Sequence, residues 1–366
     1  MYIINRNKIK LLLMSLLLIT NCLEQSETDT IPYQKYLDGN VRSFDFINDT
    51  LFVASEDEGV MIYQINKNPL NEILFDSLHL SKKFGIPVTL DIAKDSRSLI
   101  VLDDYNHTYI GKLNFFDASL LLPLSSIICD DYQMKSTYIE YADRTIDLIM
   151  PFSHKPTQNE ADSLAWNTSF LHRITFDNEG GEYDNGEYWS SCSDTLYQYM
   201  NYDLEDVYYY NQRLYIANPD TTGVHTVSIY RHNLTGLNNN FYDGPMQTLG
   251  PFDSKPLTVK ANDNYVFVGL DDNQGCYIKL LDTNNAEGSN FTIASGYTIK
   301  DIQLFDNYIA LSAGYGGSLI YSWDGLGEPM LSFLIGGIYA YKTVVYDESN
   351  ILIGTKDGLH VYNIER

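Results

Sequence analysis

Helical periodicity and positive charge are the two features that this sequence has least of. Beyond the N-terminal segment, no stretch repeats apolar residues at the three-to-four-residue spacing of a helix, which argues against a helical core. Lysine and arginine number 24 against 48 aspartates and glutamates, a formal net charge of −24 at pH 7. Because nucleic-acid phosphates require a basic surface, this balance argues against a nucleic-acid partner.

Catalytic and metal-binding motifs are missing as well. The seven histidines show neither HxH nor HExxH spacing, and the chain has no CxxC pair, no GxSxG elbow and no Walker loop. The Gly-rich segment 314–317 occupies a hairpin-turn position, not a strand-to-helix junction, and is interpreted as structural. No particular reaction is therefore indicated.

Cysteine is scarce, with four residues in 366. Cys276 lies inside an apolar strand and is predicted to be a buried small hydrophobe. Cys129 and Cys192 flank one repeat and are candidates for a disulfide in an oxidising compartment, with free thiols as the alternative.

The N-terminus indicates export. Arg6, Lys8 and Lys10 precede the apolar run 11–19, which is shorter than the ~20 residues of a membrane-spanning helix. The run leads into Ile19-Thr20-Asn21-Cys22. This resembles the lipobox of bacterial lipoproteins, although Asn21 stands where that family usually has a small residue. The resemblance implies cleavage before Cys22 and lipidation of Cys22; the alternative is an ordinary signal peptide.

The segments divide accordingly into a signal peptide (1–21), a tether (22–30) and one globular unit (31–366). Loss of the signal leaves 21 cations against 48 acids, a charge of about −27. We expect a lipid-anchored protein on a bacterial membrane, at the outer membrane or the periplasmic face, attached through its anchor and not through anionic headgroups.

A repeated unit dominates the rest of the chain. An extended segment, an Asn/Asp turn, an apolar strand, an acidic or glycine-rich turn and a second apolar strand recur at 41–65, 87–113, 136–176, 207–233, 256–282, 299–325 and 341–364. Segments 51–54, 265–268 and 351–354 are almost continuously apolar, as strands buried on both faces are. Four-stranded units of about 40–45 residues are typical of propeller blades. The sequence predicts an all-β, seven-bladed β-propeller.

The chain ends suggest how the ring closes. The last copy stops at Arg366 after its third strand, while residues 31–37 precede the first copy without a partner. We expect the N-terminal strand to complete the last blade, because an open sheet edge favours aggregation.

The turn-and-strand unit also resembles a known repeat. Asp57-Glu58-Gly59 followed by 60–65, and Lys356-Asp357-Gly358 followed by 359–364, resemble the LVIVD repeat, whose pattern runs roughly YVADGDAGLRVIDVSNP. In the first copy, 52–54 matches the strand before the turn and 66–69 the segment after it. The resemblance implies an exported propeller and implies no reaction.

Acidic residues are predicted to ring one mouth of the propeller channel. The turns between second and third strands supply Asp57, Asp103, Asp104, Asp271, Asp272 and Asp357. Convergent carboxylates suit a hard cation such as Ca²⁺. The competing interpretation is that Asp and Asn simply close hairpins.

The third copy carries two insertions, at about 152–170 and 177–206. They bring His154, Trp166, Tyr188 and Trp189 into one sector, where aromatic planes beside acids suit a sugar or a cation. A lid covering its own apolar residues is the alternative. The favoured function is a non-enzymatic binding or scaffolding protein with a protein or carbohydrate ligand; an exported hydrolase or lyase acting on a carbohydrate or small molecule remains the alternative.

Overall fold

Antiparallel strands make up most of the described part of the chain in this computed structural model. The structure describes residues 33–35, 37, 39–56, 59–81, 87–92, 98–105, 110–117, 122–128, 132–134, 138–142, 145–154, 169–177, 205–217, 224–231, 245–281 and 290–364. For strand residues 33–35 and 77–177 the description is confined to the backbone. No helix occurs in these ranges, which confirms the all-β prediction, and accordingly none there is long and apolar enough to cross a membrane.

The described strands form seven sheets of four strands each. Sheet 1 contains β2 (Val41–Ile47), β3 (Thr50–Ser55), β4 (Gly59–Lys67) and β5 (Ile73–Ser81). Sheet 2 contains β6 (Pro87–Ile92), β7 (Ser98–Tyr105), β8 (Ile110–Asp117) and β9 (Leu122–Ile128). Both follow chain order from one edge to the other.

Sheet 3 departs from this order. It contains β10 (Tyr132–Met134), β11 (Tyr138–Ala142), β12 (Thr145–His154) and β13 (Ser169–Asp177). β12 pairs with β13 along one edge and with both β10 and β11 along the other. Two short strands in succession therefore occupy the place of the first strand.

The next sheets return to chain order. Sheet 4 contains β14 (Asp206–Tyr210), β15 (Arg213–Ala217), β16 (His225–Arg231) and β17 (Gln247–Phe252). Sheet 5 contains β18 (Pro256–Ala261), β19 (Tyr265–Leu270), β20 (Cys276–Leu280) and β21 (Asn290–Ile293). Sheet 6 contains β22 (Asp301–Phe305), β23 (Tyr308–Ser312), β24 (Ser318–Ser322) and β25 (Met330–Ile335).

Sheet 7 combines the two ends of the chain. It contains β26 (Ala340–Val345), β27 (Asn350–Thr355), β28 (Gly358–Asn363) and, beside β28, β1 (Tyr33–Lys35). The antiparallel register places Tyr33 opposite Tyr362 and Lys35 opposite His360. The strand predicted to pair with the N-terminal segment is thus the one that the structure pairs with residues 33–35.

The core lies between neighbouring sheets. All but the first residue of β3 and of β19, and all of β27, are buried, which confirms the strands predicted to be covered on both faces. Each Val, Leu, Ile or Phe side chain among them contributes about 1.5–3 kcal/mol by leaving water. Polar contacts add to this packing: the buried Asp206 carboxylate of sheet 4 accepts hydrogen bonds from Thr258 Oγ1 (2.9 Å) and the Val259 amide (3.0 Å) of sheet 5.

Sheet 7 packs on sheet 1 in the same way. Leu352 and Leu359 share a buried cluster with Phe44. A Cβ atom on Gly354 would lie 2.7 Å from the Val41 carbonyl oxygen, so only a glycine allows this approach. Asn350 Nδ2 donates to the Asn71 carbonyl (3.1 Å). The first and last sheets are therefore in direct contact.

Two faces follow from the strand connections. The upper face comprises the turns between second and third strands and the segments that link successive sheets, including 271–275, 294–300, 313–317, 336–339 and 356–357. The lower face comprises the remaining turns, including 48–49, 68–72, 306–307, 323–329 and 346–349. The hairpin turns predicted at Asn and Asp residues are confirmed on the lower face. Asn48 and Asp306 have φ angles of 51° and 43°, the left-handed conformation that these residues tolerate in tight turns.

Cys276 is fully buried, as predicted, and burial raises the pKa of its thiol to about 12 from 9.0. Because the thiolate is the nucleophile, this shift lowers the reactive fraction at pH 8 on the order of a thousandfold. We expect iodoacetamide to leave Cys276 unmodified in the native protein and to label it in urea, as read by mass spectrometry of its peptide. Equal labelling in both states would contradict the buried position.

Candidate functional site

Two of the predicted acidic side chains, those of Asp271 and Asp357, accept hydrogen bonds at the upper face. Asp271 Oδ1 accepts from the Asp272 amide (2.9 Å) and from Thr298 Oγ1 (3.4 Å). Asp272 has a φ of 50°, a left-handed turn conformation that Asp tolerates. Asp357 Oδ1 accepts from Thr355 Oγ1 (2.6 Å). These carboxylates therefore stabilise turns of the upper face.

Two other members of the predicted ring, Asp103 and Asp104, lie in a strand and not in a turn. Asp103 and Asp104 belong to β7, opposite Lys112 and Gly111, because the hairpin ladder continues as far as Tyr105. Asp57 lies outside the described residues. Within the described ranges, no group of three or more His, Cys, Asp or Glu side chains is arranged to hold a metal ion. The calcium site stays a prediction from the sequence.

The predicted aromatic sector falls mostly outside the described residues. Trp166, Tyr188 and Trp189 are not among them, nor are Cys22, Cys129 and Cys192. His154 ends β12, where its backbone pairs with Tyr132. Their proposed roles in ligand binding, lipidation and disulfide formation are neither supported nor opposed by the fold.

Four tyrosines that the sequence did not single out line the upper face over sheets 5, 6 and 7. We call them the tyrosine arc: Tyr297, Tyr315, Tyr339 and Tyr341. The Tyr315 and Tyr339 rings meet edge to face at 4.6 Å, and the Tyr339 and Tyr341 rings lie 4.7 Å apart. Tyr315 is 81% exposed. Adjacent aromatic planes of this kind form a rigid surface that costs little side-chain entropy to use.

Glycines of the 313–317 turn hold the arc in place. A Cβ on Gly316 would lie 2.5 Å from the Tyr297 ring, and one on Gly314 would lie 3.4 Å from the Tyr339 ring. Gly314 also pairs with Ala340, the first residue of β26. The turn is structural, as predicted, and it also presents Tyr315 to solvent.

Cations accompany the arc. Lys356 Nζ lies 4.0 Å from the Tyr339 ring centroid and 4.6 Å from that of Tyr315, and it donates to Tyr315 Oη (3.0 Å). This hydrogen bond raises the pKa of Lys356, so its ammonium stays charged. The Arg42 guanidinium lies 5.8 Å from the Tyr341 ring centroid and pairs with Glu56.

A second group of charged side chains lies on first strands. Asp301, at the upper end of β22, accepts from Gln303 Nε2 on both carboxylate oxygens, at 3.0 and 3.1 Å. Burial raises the pKa of Asp301 above its usual range, although the nearby Lys342 and Lys260 act in the opposite direction. Lys342 Nζ lies 5.7 Å from the Phe44 ring centroid of sheet 1.

A carboxylate and a histidine also meet on the upper face. His360 Nε2 lies 3.3 Å from Asp357 Oδ1, but the histidine side chain is only 3% exposed. A substrate has no access to a group so deeply covered. The Asp357–His360 pair is therefore not placed to act on a substrate from solvent.

One residue of the arc, Tyr315, could have been identified from the sequence. A large aromatic residue within a glycine-rich turn, as in Gly314-Tyr315-Gly316-Gly317, is expected to project into solvent, because the neighbouring glycines have no side chains to cover it. Tyr339 and Lys356 carried no such signal, because only the packing of sheet 6 on sheet 7 brings them together.

Comparisons with known proteins define the fold class. No protein-family model matches the sequence, and no curated protein matches it. Solved structures do match in shape. The WD40 β-propeller domain of Doa1 has a TM-score of 0.56 at 13% identity, covering 92% of this chain and 96% of that one. A chain of the mitotic checkpoint complex has a TM-score of 0.55 at 11% identity, covering 94% and 98%.

A computationally designed protein, Ika8, is also similar, with a TM-score of 0.50 at 9% identity and coverage of 90% of this chain and 98% of that one. At such identities the likeness concerns the fold alone. The chain is therefore an all-β propeller, as the repeat predicted.

Proposed function

We propose that this chain is an exported, lipid-anchored, seven-bladed β-propeller that binds a partner through the tyrosine arc on its upper face, without catalysis. Each sheet is one blade. Successive sheets contact one another along the chain, and sheet 7 contacts sheet 1. With β1 on the edge of β28, a closed ring accounts for these contacts and leaves β28 covered.

The path of the N-terminal segment supports an outward-facing arc. β28 runs from the upper turn 356–357 to the lower face, and β1 is antiparallel to it. The chain therefore enters β1 from the lower face. From Cys22 to Pro32 it has eleven residues, a reach of roughly 36–40 Å when extended. An anchor at Cys22 would therefore attach the protein through its lower face, on the side opposite the arc.

The exposed ring of Tyr315 is the observation that carries the proposal. Exposed aromatic side chains beside cations are a feature of recognition surfaces, because they offer contact area and charge together. The upper face also gathers the remaining tyrosines of the arc, so the surface extends over three blades. Its binding role requires no catalytic group.

Site-specific cross-linking tests this role. We expect p-benzoylphenylalanine at position 315 to capture a partner covalently in the protein's own cells on irradiation, seen as a shifted band on gels. Leu326 is a matched control, since it is 79% exposed against 81% for Tyr315 but lies on the lower face. Equal capture at both positions, or none at 315, would contradict binding through the arc.

A further inference from the structure

The chemistry of the arc defines what it can bind. Its rings present flat apolar surface at fixed angles, 88° between Tyr315 and Tyr339 and 60° between Tyr339 and Tyr341. The glycine turn fixes this geometry before a ligand arrives, so little ordering entropy is lost on binding. A ligand that fits must itself have flat, partly apolar faces.

The charge of the arc selects for an anion. Lys356 has three N–H donors, of which the Tyr315 hydroxyl takes one, leaving donors for an incoming acceptor. Lys300 lies beside the arc, its Cε 3.2 Å from the position of a Cβ on Gly314. At physiological salt the Debye length is about 8 Å, so the more distant acids behind the overall net charge of −24 are largely screened, whereas Asp357, which follows Lys356 and accepts from Thr355 Oγ1, is the carboxylate next to this cation.

The architecture of the upper face argues against a peptide that binds as an added β-strand. Peptides commonly bind by adding a strand to an open sheet edge or by laying a helix in a groove. The upper face presents turns and strand ends around the arc, at 294–300, 313–317, 336–339 and 356–357, and these offer no sheet edge there. A ring-shaped ligand needs neither.

Pyranose rings with carboxylate substituents satisfy each requirement. Their C–H faces stack on tyrosine, their hydroxyls reach the phenol oxygens, and their carboxylates pair with lysine. We infer that the tyrosine arc binds an anionic oligosaccharide of the uronate class, with Tyr315 as a stacking residue and Lys356 as the carboxylate partner. This inference rests on the proposed function and names the ligand class of the same surface.

Calorimetric titration with tetragalacturonate tests the inference on the chain from residue 23. We expect binding that weakens with added salt, and a neutral tetrasaccharide, maltotetraose, that binds at least about tenfold more weakly because it lacks the carboxylates. Tyr315→Ala and Lys356→Gln should each weaken tetragalacturonate binding about tenfold or more.

Lys67→Gln supplies the control. Lys67 Nζ lies 5.5 Å from the Tyr346 ring centroid, a similar cation–π pair at the lower face. Its loss should leave the dissociation constant unchanged. Equal affinity for maltotetraose, equal affinity for polyglutamate, or no binding of tetragalacturonate would overturn the inference. Capture at position 315 in the cross-linking experiment would then still support the proposed function, whereas failure of both experiments would overturn both.

Discussion

A chain that begins at residue 38 is expected to be less stable than one that begins at residue 33 by about 4–6 kcal/mol. The difference combines the ladder hydrogen bonds of a three-residue strand, about 1 kcal/mol each, with the loss of the buried Leu37 side chain, about 2 kcal/mol. Leu37 packs in the cluster that contains Leu359 and Val361 of β28. Urea denaturation followed by circular dichroism measures the change in the free energy of unfolding.

The same truncation should promote association, because β28 becomes an exposed edge strand. Its apolar side chains pack between sheets 7 and 1, so fraying of this edge also loosens the contact between the first and last blades. Size-exclusion chromatography would show dimers or larger species for the shorter chain alone. Identical stability and identical elution of the two chains would contradict a ring closed by β1.

The strands and their turns were predictable because they follow from local sequence. Continuous apolar segments such as 51–54 allow one arrangement, a strand covered on both faces, and Asn or Asp beside them provides the tight turn. The pairing of β1 with β28 was predictable by counting, since three strands remained at one end of the chain and one at the other. The division of the first strand of sheet 3 into β10 and β11 was less predictable, because no feature of the local sequence indicates the break between them.

The tyrosine arc was not predictable for a different reason. Tyr315, Tyr339 and Lys356 belong to three turns of two blades, and their distances depend on how sheet 6 packs on sheet 7. Repeat periodicity shows which residues lie in turns but not which turns approach one another. The predicted acidic ring shows that equivalent positions in the repeat need not form a common site. Asp271 and Asp357 occur at equivalent turns, yet each hydrogen-bonds within its own turn or to the linker that follows.

Four of the sheets have a glycine with a positive φ angle at the start of the third strand. Gly59, Gly275, Gly317 and Gly358 all have positive φ angles, of 87°, 82°, 80° and 143°. A Cβ on Gly317 would lie 2.1 Å from the carbonyl oxygen of Ile335, and one on Gly275 would lie 2.3 Å from that of Ile293. Each of these carbonyls ends the fourth strand of its blade, so the glycine allows the outer strand to close against the upper turn.

Gly317→Ala is therefore expected to lower the free energy of unfolding by about 3–5 kcal/mol, of which left-handed strain accounts for about 1–2 kcal/mol and displacement of β25 for the rest. Two neighbouring glycines separate these causes. Gly337 has a φ of 77° with no atom near the place that a Cβ would take, so Gly337→Ala should cost only the strain; Gly336 has neither constraint, so Gly336→Ala should cost almost nothing. Urea denaturation of the three variants measures the differences. A Gly317→Ala variant no less stable than Gly337→Ala would mean that the outer strand does not depend on this glycine.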